Sequence, residues 1–106
     1  MLYRDKAKEL REAAIMLIRG NIMKVMNESS NTQSQLADKL GIDYPTVYAW
    51  KNQKYLPKPW MAWQMEEMTD GAVKKEHILP HVFLNPTSED AGSIIEKANQ
   101  AEQEQA

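Results

Sequence analysis

The chain has 106 residues, no cysteine and a formal net charge of −2. That length bounds one domain with tails, and the lack of cysteine excludes disulfides and thiolate metal sites and suits a reducing cytoplasm. No apolar run reaches membrane-span length, because Arg19 and Lys24 interrupt the best one, and MLYRDKAKEL is charged throughout, unlike a secretory leader.

Residues 3–27 read as helix, interrupted in character only at Gly20 and Asn21. Tyr3, Ala7, Leu10, Ala14 and Leu17 form one apolar stripe at coiled-coil spacing. Such a stripe either pairs with a second subunit or folds back on its own domain. A second stripe, Ile15, Ile18, Ile22 and Val25 or Met26, begins before the first ends. Gly20, costly in a helix interior, marks an expected bend between them. The NESSN run at 27–31 is a turn by composition.

Thr32 then reads as an N-cap, with Gln35 three residues on as in a capping box. Gln33 falls at the start of this helix, where exposed N–H groups favour an anion such as a DNA phosphate. Leu36, Ala37 and Leu40 supply its apolar stripe, and Gly41 fits a turn residue of positive φ. Asp43 is the expected cap of the next helix, and Pro45 sits in its first turn, where a missing N–H costs little. Val47 and Trp50 face the core with Leu40 and Ile42. Tyr44, Thr46, Tyr48, Ala49, Lys51 and Asn52 are left on the outer side. Two helices on a tight glycine turn, the second carrying an outward polar and aromatic face, constitute a helix-turn-helix whose second helix is the candidate reader of double-stranded DNA.

The loop KNQKYLPKP brings Lys51, Lys54 and Lys58 together after that helix. Residues 1–60 hold ten Lys and Arg against six Asp and Glu, whereas residues 61–106 hold three against nine. Phosphate attraction follows local charge over about 8–10 Å, so an acidic C-terminal part does not exclude a basic reading face. Pro59 opens another helix, running to Thr69, with Met61, Met65, Met68 and Ala72 inward. Trp60 and Trp63 lie on an adjoining face, read as core packing. Gly71 is the expected C-cap, Ala72–Val73 a short extended piece, and Lys74–Leu79 a helical turn stopped before Pro80. Val82 and Phe83 close the folded part. Beyond Asn85 only Ile94 and Ile95 offer apolar bulk, so a frayed helix or disorder is expected.

From about Ile22 to Phe83 the chain resembles the Cro-type repressors of temperate phages and prophages, particularly the YdaS-like group. The resemblance rests on Gln33, Ala37, Gly41, Ile42, Val47 and Trp50. More specific are Pro45-Thr46-Val47-Tyr48-x-Trp50, Leu56-Pro57, Thr69-x-Gly71-x-Val73 and Ile78-x-Pro80-x-Val82-Phe83. It implies an all-α, lambda repressor-like helix-turn-helix domain of about five helices, to which the residue pattern outside the matched stretch adds an N-terminal helical extension and a flexible C-terminal tail. The expected division is an extension at 1–20, a DNA-binding domain at 21–85 and an acidic tail at 86–106. It also implies a transcriptional regulator of a prophage switch, binding operator DNA through the major groove as a homodimer or higher homo-oligomer. Some members act as antitoxins.

The family's DNA-facing positions carry over to Gln33, Tyr44, Pro45, Thr46, Tyr48, Ala49 and Asn52, to which the local charge adds Lys51 and Lys54. Tyr44 stands where the family often has Gln, Ala49 where a long polar or basic residue is common, and Leu79-Pro80-His81 where Arg-Pro-Asp is usual. A looser resemblance, through Gly41-x-Asp43 and Trp50-Lys51, is to the lysogeny activators of lambdoid phages. A protein-interaction module on the same scaffold is the reading from another class, with a toxin or polymerase subunit as its partner. No cofactor is expected. The one approach to a metal set, Glu76, His77 and His81, is interrupted by Pro80, and no nucleophile has a base nearby, so an enzyme is not expected.

Overall fold

The structure, a computed structural model, describes residues 2–105, and those residues form seven helices and no strand. The first helix, α1 (Tyr3–Ser29), has 27 residues and is roughly 40 Å long. Leu10, Ala14, Ile18, Ile22 and Val25 recur every three or four residues along it and are all buried, giving one continuous face. The helix passes through Gly20 without a break in place of the expected bend, and its backbone hydrogen bonding is what carries it across. It ends where Ser30 turns left-handed (φ 56°) and returns its N–H to Asn27 and Met26.

The helix-turn-helix follows as α2 (Gln33–Leu40) and α3 (Tyr44–Lys51). Its start is the expected capping box: Thr32 Oγ1 accepts the Gln35 N–H at 3.2 Å, and Gln35 Oε1 accepts the Thr32 N–H at 2.9 Å. Gly41 has φ 68°, the left-handed turn that directs the chain into α3. Asp43 occupies the cap position of α3, but its carboxylate makes no capping hydrogen bond; only its backbone carbonyl does, to the Thr46 N–H. Behind these helices, Ile18, Ile22 and Val25 of α1 meet Leu36, Ala37, Leu40, Val47 and Trp50 in one core.

The helix α4 (Pro59–Met68) completes that core with Met61, Ala62 and Met65. Met68 packs at the edge of the core, while Ala72 is exposed rather than inward. Thr69, not Gly71, is the C-cap. Its hydroxyl donates to the Met65 carbonyl at 3.0 Å and accepts the Val73 N–H at 3.1 Å, so residues 72–73 form a bend in place of the expected extended piece. Two single turns follow, α5 (Lys75–Ile78) and α6 (Pro80–Phe83), with Ile78 and Leu79 sealing the core.

The tail is where the structure departs most from expectation. Residues Glu89–Gln105 form one helix, α7, lying along α1. Ser88 Oγ accepts the Ala91 N–H at 3.2 Å, and Glu89 and Asp90 sit in the first turn, where carboxylates favour a helix. Ala91 and Ala98 are buried and Ile94 and Ile95 half-buried, a stripe of helical spacing that occupies the upstream face of α1. The short apolar inventory of the tail suffices because alanines let the two backbones approach closely. The N-terminal stripe thus folds back on its own chain, and α1 runs through the expected 20/21 boundary.

Candidate nucleic-acid interface

Burial of Val47 and Trp50 sets the rotation of α3 about its axis. Tyr44 and Tyr48, one turn apart, are then 51% and 56% exposed. Pro45 is exposed between them, Thr46 and Ala49 are half-buried at the edge, and Asn52 is exposed at the C-cap. The outward face read from the sequence therefore comes together on one side of one helix. Two of its members are already engaged. The Asn52 Nδ2 donates to the Tyr48 carbonyl at 3.1 Å, so a paired contact with adenine requires that bond to open. The Lys51 Nζ donates to Gln33 Oε1 at 2.9 Å. Gln33, expected to meet a phosphate, is only 8% exposed.

Lys54 and Lys58 are exposed in the loop after α3. That loop is held by Gln53, a residue with no sequence signal for the role. Gln53 adopts φ 60° and sends its Nε2 to the Met16 carbonyl of α1 at 2.7 Å. Tyr55, 68% exposed, is a second member that pattern reading missed, since a single aromatic in a polar loop has no periodicity. Between the loop and α3 lies a groove of about 270 Å³, walled by Pro45, Thr46, Ala49, Tyr55, Leu56 and Met61. The α2 end is fixed from the other side, where Gln64 Nε2 donates to the Lys39 carbonyl at 2.8 Å.

The two perturbed titratable groups lie elsewhere. The Lys75 pKa is raised, first by its contact with Glu76 (2.6 Å) and then by Glu66; the ammonium also sits 4.2 Å from the Trp63 ring centroid. Trp63 in turn meets the Phe83 ring edge-on at 6.2 Å. Trp60 and Trp63 are nonetheless half exposed, so they border the core rather than fill it. The His81 pKa is lowered, first by burial and then by the Arg11 charge. His77 and His81 do not assemble with Glu76: among the described residues no group of three or more His, Cys, Asp or Glu could hold a metal ion. Nor, among those residues, is any helix long and apolar enough to cross a membrane.

No family model matches the chain, and no solved structure matches it. Among curated proteins, the regulatory protein cro of Pseudomonas phage D3 is 37% identical over 59 residues, covering 56% of this chain and 81% of that protein. The chain belongs to the Cro family of regulatory proteins. The shared 59 residues are fewer than the 106 present here, so this Cro-family chain carries a large part of its length beyond what it shares with the phage protein.

Proposed function

We propose that this chain is a sequence-specific double-stranded DNA-binding transcriptional regulator, a Cro-like prophage repressor of the YdaS-like group. The observation that carries the reading is the orientation of α3: Val47 and Trp50 are buried, and Tyr44 and Tyr48 project outward. The reading unit is residues 21–85. In the proposed docking, α3 enters the major groove by its N-terminal end, and Tyr44, Pro45, Thr46, Tyr48 and Ala49 approach base edges. Tyr48, Thr46 and Ala49 offer apolar contact to a thymine methyl, and Asn52 serves once its amide leaves the Tyr48 carbonyl. Lys51 and Lys54 hold phosphates, contacts that position the protein without carrying sequence information. A homodimer acting in the cytoplasm would read half-sites about 34–36 Å apart.

Selecting bound duplexes from a random pool tests this. Tyr48→Ala should lose about 1–3 kcal/mol on the selected duplex and relax preference at one position. Discrimination left intact in that variant, or no duplex retained at low salt, refutes the assignment. Lys54→Ala should weaken every duplex alike and lower the salt slope by about one unit.

A further inference from the structure

We infer that Gln53 and Gly20 are positioning residues for Lys54, so that the N-terminal helix α1 takes part in holding DNA. The inference rests on the DNA-binding reading above. Lys54 follows Gln53 directly, in the turn that closes α3. There the Gln53 N–H donates to the Trp50 carbonyl and the Lys54 N–H to the Ala49 carbonyl, both at 3.0 Å. The left-handed backbone at Gln53 (φ 60°) therefore decides the direction in which the Lys54 side chain leaves the helix. From α1 the turn is held by one bond, in which Gln53 Nε2 donates to the Met16 carbonyl at 2.7 Å.

Fold stability does not explain the two residues that meet here. A left-handed turn favours glycine, as at Gly41 (φ 68°), yet this one carries a long side chain. A helix interior disfavours glycine, yet α1 contains Gly20 with no bend, and a Cβ built there meets nothing within 4 Å. The two exceptions account for each other. Within a helix the Met16 carbonyl accepts the Gly20 N–H, and a long side chain at position 20 would lie back over the turn that holds Met16. Glycine leaves the second lone pair of that carbonyl open to the Gln53 amide. Met16, Gly20, Met23 and Gln53 share one open cavity of about 530 Å³, so the approach is unobstructed. Lys54 itself stays exposed. The bond thus orders its backbone before DNA arrives and leaves its ammonium to the phosphate.

The test sets melting temperature against binding in the full chain, on the duplex that the wild type selects. Gln53→Asn keeps an amide and tolerates the left-handed turn, but is one methylene too short to reach Met16. It should weaken binding about two- to tenfold on all duplexes alike, and the loss should shrink as salt rises. In a double-mutant cycle with Lys54→Ala, the pair should bind as Lys54→Ala does alone. Gly20→Met should melt no lower than wild type, since it replaces a helical glycine, and still lose binding as Gln53→Asn does. Gly20→Ala, whose Cβ is clear of Gln53, should keep wild-type binding. Wild-type binding in Gln53→Asn or in Gly20→Met overturns the inference, as do losses that multiply in the pair. Should Gln53→Asn fail to fold, the two Gly20 variants decide the matter, and equal binding by both overturns the inference. A wild-type chain that retains no duplex overturns this inference and the DNA reading together.

Discussion

The two halves of α1 are buried by different means. Downstream, Ile18, Ile22 and Val25 are fully buried among Leu36, Leu40, Val47, Trp50 and Met65, large side chains gathered from three other helices. Upstream, Leu10 is the one large fully buried residue, and the other buried positions are Ala13, Ala14, Ala91 and Ala98, with Ile94 and Ile95 only half-buried, beside a cavity of about 420 Å³. One end of the helix is packed by volume and the other by proximity. The first kind of packing fixes α3, on which a reading face depends. The second fastens an acidic helix along the domain and leaves that face uncommitted.

Removing volume should therefore hurt most downstream. Trp50 is 1% exposed at the centre of the core, and Trp50→Ala is expected to cost about 3–5 kcal/mol in chemical denaturation. A loss below about 1 kcal/mol would mean that the core is not arranged around α3. Adding volume probes the upstream end. Ala91 is fully buried, so Ala91→Leu should lift α7 from α1 and cost about 1–3 kcal/mol. Ala98 lines the cavity, so Ala98→Leu has room and should change stability by less than about 1 kcal/mol. Equal penalties at the two alanines would remove the distinction drawn between the ends.

A pH titration places a smaller effect at the upstream end. His81 of α6 has its pKa lowered below the ordinary 6.5 by burial and by Arg11, and its Nδ1 lies buried without a hydrogen-bond partner. The unfolded chain then takes up the proton first as pH falls. Stability present above about pH 6.5 should decline between that value and the lower folded pKa. Urea midpoints at pH 7.5 and 5.5 should differ in the wild type, and His81→Gln should shrink that difference. A variant that responds to pH as the wild type does would assign the decline to other groups.

The helix-turn-helix was legible because its determinants are local. Thr32 and Gln35 are three residues apart, Gly41 needs only its own φ, and Leu36, Ala37, Leu40, Val47 and Trp50 follow one period. The helix α7 was not legible because alanine weighs little in any hydrophobicity pattern, and its burial depends on α1, at the other end of the chain. The Lys51–Gln33 bond and the Gln53–Met16 bond were hidden for the same reason, spanning 18 and 37 residues without any periodic signal. Asp43 shows the limit of local rules from the other side: the cap position was readable, but its side-chain geometry was not.

The smallest expected effect falls at the seam between the two halves. Gly20 lies where the alanine-packed stretch gives way to the aliphatic one, and composition alone marks it as a bend. The helix is continuous there, and a Cβ built on Gly20 meets nothing within 4 Å. Gly20→Ala therefore adds no clash and removes backbone freedom from the unfolded chain, which should raise stability by about 0.5–1 kcal/mol. In a melt, that corresponds to about 2–8 °C for a domain near this size. A lower melting temperature would mean that α1 must flex at this position, so that the two kinds of packing move independently. A higher one would mean that α1 is a single rod, joining the α7 contact rigidly to the helix that carries Tyr44 and Tyr48.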